Sequence, residues 1–228
     1  MLVEPLDLST PMACFNGAVL VSARLTSTRE YLLPPAIAVR AIGFLDSHRA
    51  DVWRFTVESW LLRDAGRPYV DLEKRTVRFQ PAIVEDFAGN LGRAAKIVGV
   101  SGDFAFLKRL ETDARAAFAG QASVARSQPY YLDFTHPRAN KGVALLALSE
   151  LLVIPPAEIA VIGDGPNDVA MFEKSGLSIA MGNASREVKL AADILPAATP
   201  RTDSRRRSSA SSSRLVCDAP APGAPGQV

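Results

Sequence analysis

Asp164 and Asp168 stand four residues apart in Gly163-Asp164-Gly165-Pro166-Asn167-Asp168, directly after the apolar run Ile159-Ala160-Val161-Ile162. Hard carboxylate oxygens suit Mg2+, which is usually held by one or two carboxylates together with waters and substrate phosphate. A continuous apolar run reads as a buried parallel strand, and open α/β sheets place their ligands at the carboxyl ends of such strands. Glycine at 163 and 165 lets the backbone turn sharply and come close to a ligand. A helix pattern begins at Val169-Ala170-Met171-Phe172. The same residues also fit a solvated loop with an Asp helix cap, so the neighbouring segments decide between the two.

Upstream lies Thr135-His136-Pro137-Arg138-Ala139-Asn140-Lys141-Gly142, and downstream Gly176-Leu177-Ser178-Ile179-Ala180-Met181-Gly182-Asn183-Ala184. This succession resembles the haloacid dehalogenase superfamily. More narrowly it resembles the Cof-type phosphatases, whose cap domain is inserted after the third core strand. The resemblance runs from about Pro11 to Leu195 and is most specific between Asn140 and Ala184. It implies Mg2+-dependent hydrolysis of phosphate esters, often of small sugar phosphates, through a covalent aspartyl-phosphate.

Carried onto this sequence, the resemblance makes Lys141 the cation that offsets negative charge gathered around the phosphate. An ordinary solvated lysine at a helix start is the alternative, although the helix dipole disfavours a cation there. Asn140 can donate to a phosphate oxygen, or simply cap the helix. Asp164 is the expected direct Mg2+ ligand. Asp168 is expected to act through water or to orient the loop, with Asn167 hydrogen-bonding the carboxylates. Asn16 and Gly17 match an Asn-Gly-Ala that closes the third core strand, where Asn16 can face the substrate; Asn-Gly is equally a common turn pair. The catalytic set is thus Lys141, Asp164 and Asp168, and the phosphate-binding set Asn16, Asn140, Lys141 and Asn167. Asp164 and Asp168 form the metal set.

The family's first motif is an Asp-x-Asp that supplies nucleophile, general acid and a metal ligand, and none occurs in these 228 residues. Its second motif, a Ser or Thr for the transferring phosphoryl group, is also missing. At least one βαβ unit, roughly 30 residues, is therefore expected to be absent from the front, leaving the chain inactive as given. Asp7 precedes the Asn-Gly-Ala strand and is a poor substitute nucleophile. A non-catalytic remnant that binds a phosphorylated ligand or a partner through its cap is the alternative.

The expected fold is α/β: a partial Rossmann-like core of parallel strands carrying an inserted α+β cap. The expected divisions are 1–21 (core remnant), 22–134 (cap), 135–197 (core with the lysine and Gly-Asp-Gly motifs) and 198–228. This last segment, rich in Pro, Ala, Arg and Ser, cannot bury enough apolar surface to order itself and reads as a frameshifted tail. Within the insertion, Pro34–Arg49 predicts a helix with Pro at its start. Asp51–Val57 predicts a half-exposed antiparallel strand, Lys96–Val100 another strand, and Asp103–Phe118 a helix capped by Asp103 with Phe106, Leu107, Leu110 and Ala114 on one face. Gln121–Thr135 is expected to return as strand, and a further strand spans 11–15. Trp53, Trp60 and Tyr69 read as cap core.

Hydrophobic content of 48% is ordinary for a globular protein. The formal charge of +2 hides an asymmetry: from residue 201 onward five Arg face two Asp, leaving 21 basic against 22 acidic residues before it. Nothing in that part invites nucleic acid. Cys14 and Cys217 make no disulfide framework and fit a reducing cytoplasm. His48 and His136 have no spaced partner for zinc, and no apolar stretch is long enough to span a bilayer. The expected partner is a small phosphorylated metabolite.

Overall fold

The computed structural model describes residues 9–195, apart from Ala23, Leu25, Ala88 and Asn90. Asp7 and the expected tail at 198–228 lie outside the described residues. The predicted strand at 11–15 appears as β1 (Met12–Cys14), followed by a 3-10 turn at Phe15–Gly17, β2 (Val19–Val21) and β3 (Ser27–Glu30). These three strands form an antiparallel meander, with Met12 opposite Val21 and Cys14 opposite Val19. Expectation had β1 inside a parallel sheet; among the described residues its only strand partner is β2. The cause is local: Phe15, Asn16 and Gly17 all take positive φ (50°, 58° and 92°), which reverses the chain within three residues. Asn and Gly tolerate that region best.

The insertion holds α1 (Pro35–Ser47), β4 (Asp51–Phe55), β5 (Trp60–Leu62), α2 (Val70–Val77), β6 (Ala82–Ile83), β7 (Lys96–Val100), α3 (Phe104–Ala117), β8 (Ser123–Ala125) and β9 (Tyr131–Thr135). Its six strands make one sheet in the order β6-β5-β4-β7-β9-β8, antiparallel except for the β5–β6 pair. Helices α1 and α3 cover one face, burying Leu45, Leu107, Leu110 and Ala114 against Ile97 and Phe134. The opposite face gathers Trp53, Phe55, Trp60, Val98 and Tyr131 with Val70 of α2. Each such large side chain contributes about 1.5–3 kcal/mol relative to exposure. Asp103 caps α3 as predicted, its carboxylate accepting from the Phe106 amide at 2.8 Å. Two predictions need correction. Strand β4 is buried on both faces from Val52 to Phe55 rather than half-exposed, because it lies inside the sheet. The predicted 121–135 strand breaks into the antiparallel hairpin β8–β9.

The chain then runs through α4 (Lys141–Leu152), β10 (Ala160–Gly163), α5 (Val169–Phe172), β11 (Leu177–Ala180) and α6 (Arg186–Leu190). Strands β10 and β11 are parallel, Ala160 opposite Leu177 and Gly163 opposite Ala180. This is the strand–turn–helix–strand succession expected of the α/β core. The expected burial of β10 is not met: Ala160 is exposed and Ile162 is 61% exposed. The reason is that β10 pairs only with β11 among the described residues. Between β10 and β1 opens an apolar cavity of about 580 Å3, walled by Ala13, Ala144, Leu148, Val161 and Met171. Among the described residues no helix is long and apolar enough to cross a membrane.

Candidate active site

The carboxyl end of β10 turns at Gly163, where a Cβ would overlap the carboxylate of Asp168. That close approach explains the glycine and draws Asp168 under the loop. One Asp168 oxygen accepts from the backbone amides of Asp164 and Gly165, each at 2.9 Å, and the other accepts from the Lys141 ammonium. The residue is only 2% exposed. Burial alone would raise its pKa, but the Lys141 hydrogen bond and the two amides hold the carboxyl below its ordinary value.

Lys141 arrives as the first residue of α4. Asn140 caps that helix, its side-chain oxygen accepting from the Val143 amide at 2.9 Å. The capping alternative thus describes this oxygen. Gly142 lets the same helix end approach α5, since a Cβ there would run into the Ala170 carbonyl. Gly17 does the same on the other side, leaving room for the Asn140 carbonyl. Asn16, turned by its positive φ, accepts from the Asn167 amide at 3.0 Å. Asn16, Lys141, Asn167 and Asp168 therefore meet in space, although 151 residues separate Asn16 from Asn167. Asp164 is exposed at the loop tip, and one of its oxygens accepts from the Asn183 amide at 2.7 Å.

With both Asp168 oxygens engaged, Asp164 carries the available carboxylate. One carboxylate flanked by amide side chains fits Mg2+, an ion that keeps waters and shares substrate phosphate. Among the described residues no group of three or more His, Cys, Asp or Glu side chains converges on a metal position. His48 ends α1, its ring beside the Phe44 carbonyl, and His136 stacks on Tyr31. Burial, with Arg138 adding to it, lowers the His136 pKa. Burial likewise raises that of the Cys14 thiol.

A second cavity, about 170 Å3, lies beside Lys141. Asn16, Lys141 and Asn167 form one wall, and Lys96 and Asp133 of the six-stranded sheet, with Arg126 just after β8, form the other. Sequence reasoning did not single out Lys96, Arg126 and Asp133, nor Asn183. The available signal was a Lys at the head of the apolar run Ile97–Val100 and an Asp between Leu132 and Phe134.

A parallel strand pair ending in a lysine-clamped acidic loop, with a six-stranded sheet inserted upstream, matches the core-and-cap arrangement that the sequence resemblance implies. The sequence profile of the haloacid dehalogenase-like hydrolases matches residues 1–202. A putative phosphatase of Haemophilus influenzae is 25% identical over 195 residues, covering 85% of this chain and 73% of that protein. Phosphatase YwpJ of Bacillus subtilis is 26% identical over 218 residues, covering 84% and 76%. A haloacid dehalogenase-like hydrolase from Bacteroides thetaiotaomicron superposes with a TM-score of 0.73 at 25% identity, over 85% of this chain and 76% of that one. The chain belongs to the haloacid dehalogenase-like hydrolases.

Proposed function

We propose that the site holds the phosphate of a small metabolite ester, a sugar phosphate or similar compound, beside Mg2+. The observation that carries this reading is the contact between Lys141 and Asp168 beneath an exposed Asp164 at the end of a parallel strand. Lys141 is 37% exposed on its open side, so its ammonium can meet a phosphate oxygen while staying anchored. Asn16 and Asn167, already joined, supply amide groups at the mouth of the same cavity. Asp168 organises the loop, and Asp164 is the residue that would hold the ion. The ion would offset charge on the transferring phosphoryl group.

Phosphoryl transfer also requires a nucleophile in line with phosphorus. The 228 residues contain no Asp-x-Asp. The chain as given therefore supplies the phosphate clamp and half of a metal site, and is expected to bind phosphate esters without turning them over. Release of p-nitrophenol from p-nitrophenyl phosphate, with and without Mg2+, tests this. No Mg2+-dependent turnover is expected until a family-like first βαβ unit bearing Asp-x-Asp is fused in front, after which Asp164→Ala or Lys141→Ala should abolish most of it. Turnover by the unfused chain that disappears in Asp164→Ala would overturn this reading.

A further inference from the structure

Arg54 of β4 is a buried guanidinium that no carboxylate among the described residues answers. It is 3% exposed. Burial pushes its pKa down, and no acidic neighbour holds it up. Arginine is seldom buried unless paired. Its Nη1 donates to the carbonyls of Phe87 and Gly89 at 2.9 and 2.7 Å, which ties β4 to the chain after β6. Nη1 is the nitrogen on the Cδ side, so the edge formed by Nε and Nη2 is not engaged by these bonds. Nε is buried without a partner, and Nη2 has no acceptor among the described residues. The N–H groups of that edge are parallel, the planar fork that grips a carboxylate through two hydrogen bonds.

Arg54 lines a cavity of about 240 Å3 with Leu61, Val84, Glu58, Asp86 and Arg93 among its other walls. Two positive and two negative side chains therefore surround it. Glu58, Asp86 and Arg93 are exposed, and Arg93 lies 3.5 Å from Glu58, so water screens these three charges. Of the four, Arg54 alone is buried. The two carboxylates at the rim oppose a dianion, and the Thr56 and Ser59 hydroxyls bond each other at 2.8 Å. Leu61 and Val84 supply an apolar wall. The volume is below the roughly 300 Å3 at which ligand pockets usually begin, which limits an occupant to a few carbons.

This cavity is separate from the one beside Lys141. Trp53 and Phe55, on either side of Arg54, turn towards Trp60 and Tyr131, and Lys96 lies over the rings of Phe55 and Tyr131. Strand alternation turns Arg54 to the other face of the sheet.

We propose that the Arg54 cavity is a second ligand site, for a short aliphatic monocarboxylate. Its carboxylate takes the Nε–Nη2 edge and its hydrocarbon lies on Leu61 and Val84. The site is independent of the phosphate reading above.

Calorimetric titration of the full chain with butyrate, and with butyramide as its uncharged analogue, tests this. Butyrate is expected to bind at least about tenfold more tightly. Arg54→Lys keeps the charge but loses the fork, and should bring the two ligands level. Val84→Phe fills the cavity and leaves Arg54 in place, so it should weaken butyrate even if Arg54→Lys does not fold. Lys141→Met should leave butyrate binding unchanged, and saturating inorganic phosphate should not compete with it. The proposal is overturned if butyrate does not bind, binds no better than butyramide, or keeps its preference in either cavity variant. Loss of butyrate binding in Lys141→Met, or competition by phosphate, would overturn it too. Arg54 would then serve only to anchor the Phe87 and Gly89 carbonyls.

Discussion

Asp168→Asn isolates what the buried carboxylate does, because it removes the charge and keeps the shape. One Asp168 oxygen serves two backbone amides and the other serves Lys141. An asparagine has a single acceptor oxygen and an amino group that only donates. If its oxygen keeps the amides, its amino group confronts the Lys141 ammonium; if it turns over, two buried N–H groups lose their acceptor. A buried donor without a partner costs about 1–3 kcal/mol. Losing one partner of a fully buried ion pair costs about 3–5 kcal/mol, but Lys141 is 37% exposed, which calls for a smaller figure. The expected loss is about 2–3 kcal/mol, corresponding to a fall of roughly 5–10 °C in Tm for a protein of this size. Thermal and urea unfolding followed by circular dichroism would measure it, with Asp164→Asn as the control. Asp164 is exposed and accepts one hydrogen bond from Asn183, so that change should stay within about 0.5 kcal/mol. Equal effects from the two substitutions would refute the assignment of Asp168 as the organiser of the loop.

The same carboxyl sets a pH dependence. Its folded-state pKa is depressed, so its contribution is present above the unfolded Asp value near 4 and is lost as pH falls below it. Urea midpoints measured downward from pH 6 should drop in that acidic window, and much less in Asp168→Asn; parallel curves would contradict this. Gly17→Ala would force alanine to φ +92° and place its Cβ 2.7 Å from the Asn140 carbonyl oxygen, so a loss of about 2 kcal/mol or more is expected in the same unfolding assay. Exposed apolar residues on β10 and after α4, Ile162 and Val153 among them, should make the chain self-associate at micromolar concentration. Light scattering behind a sizing column should show this and its reduction in Ile162→Lys, whereas a monodisperse monomer would count against it.

How much of this was legible depended on distance along the chain. The Gly163–Asp168 loop could be read because strand, turn and helix follow one another within ten residues, and each has its own composition. Lys141 could be tied to Asp168 only through a resemblance, since the two stand 27 positions apart. Lys96, Arg126 and Asp133 were missed because sheet register, not sequence spacing, brings them to one cavity. Strand β10 misled in the other direction: an apolar run reports what a strand can bury, and the exposure of Ile162 depends on which neighbours pair with it. Strand β4 erred similarly, since alternation does not show that its polar-facing side carries α1 and α3. Asn140 had two valid readings, and only the hydrogen bond to Val143 established the capping contact.

The ring of Tyr31 lies against that of His136, 5.9 Å between centroids, where the insertion leaves and rejoins the rest of the chain. This joint bears on the order of folding. Bringing Asn16 to Asn167, 151 positions apart, in an unstructured chain closes a long loop, at an entropic cost of roughly 4 kcal/mol. A folded six-stranded sheet with adjacent ends removes most of that cost before the two halves of the site meet. The sheet should therefore form early, and the contacts among Asn16, Asn167, Lys141 and Asp168 late. Refolding traces would then show Trp53 and Trp60 fluorescence settling ahead of any signal from the Gly163–Asp168 loop. A mutation deep in the sheet, far from any reacting atom, would slow assembly of the site without touching it.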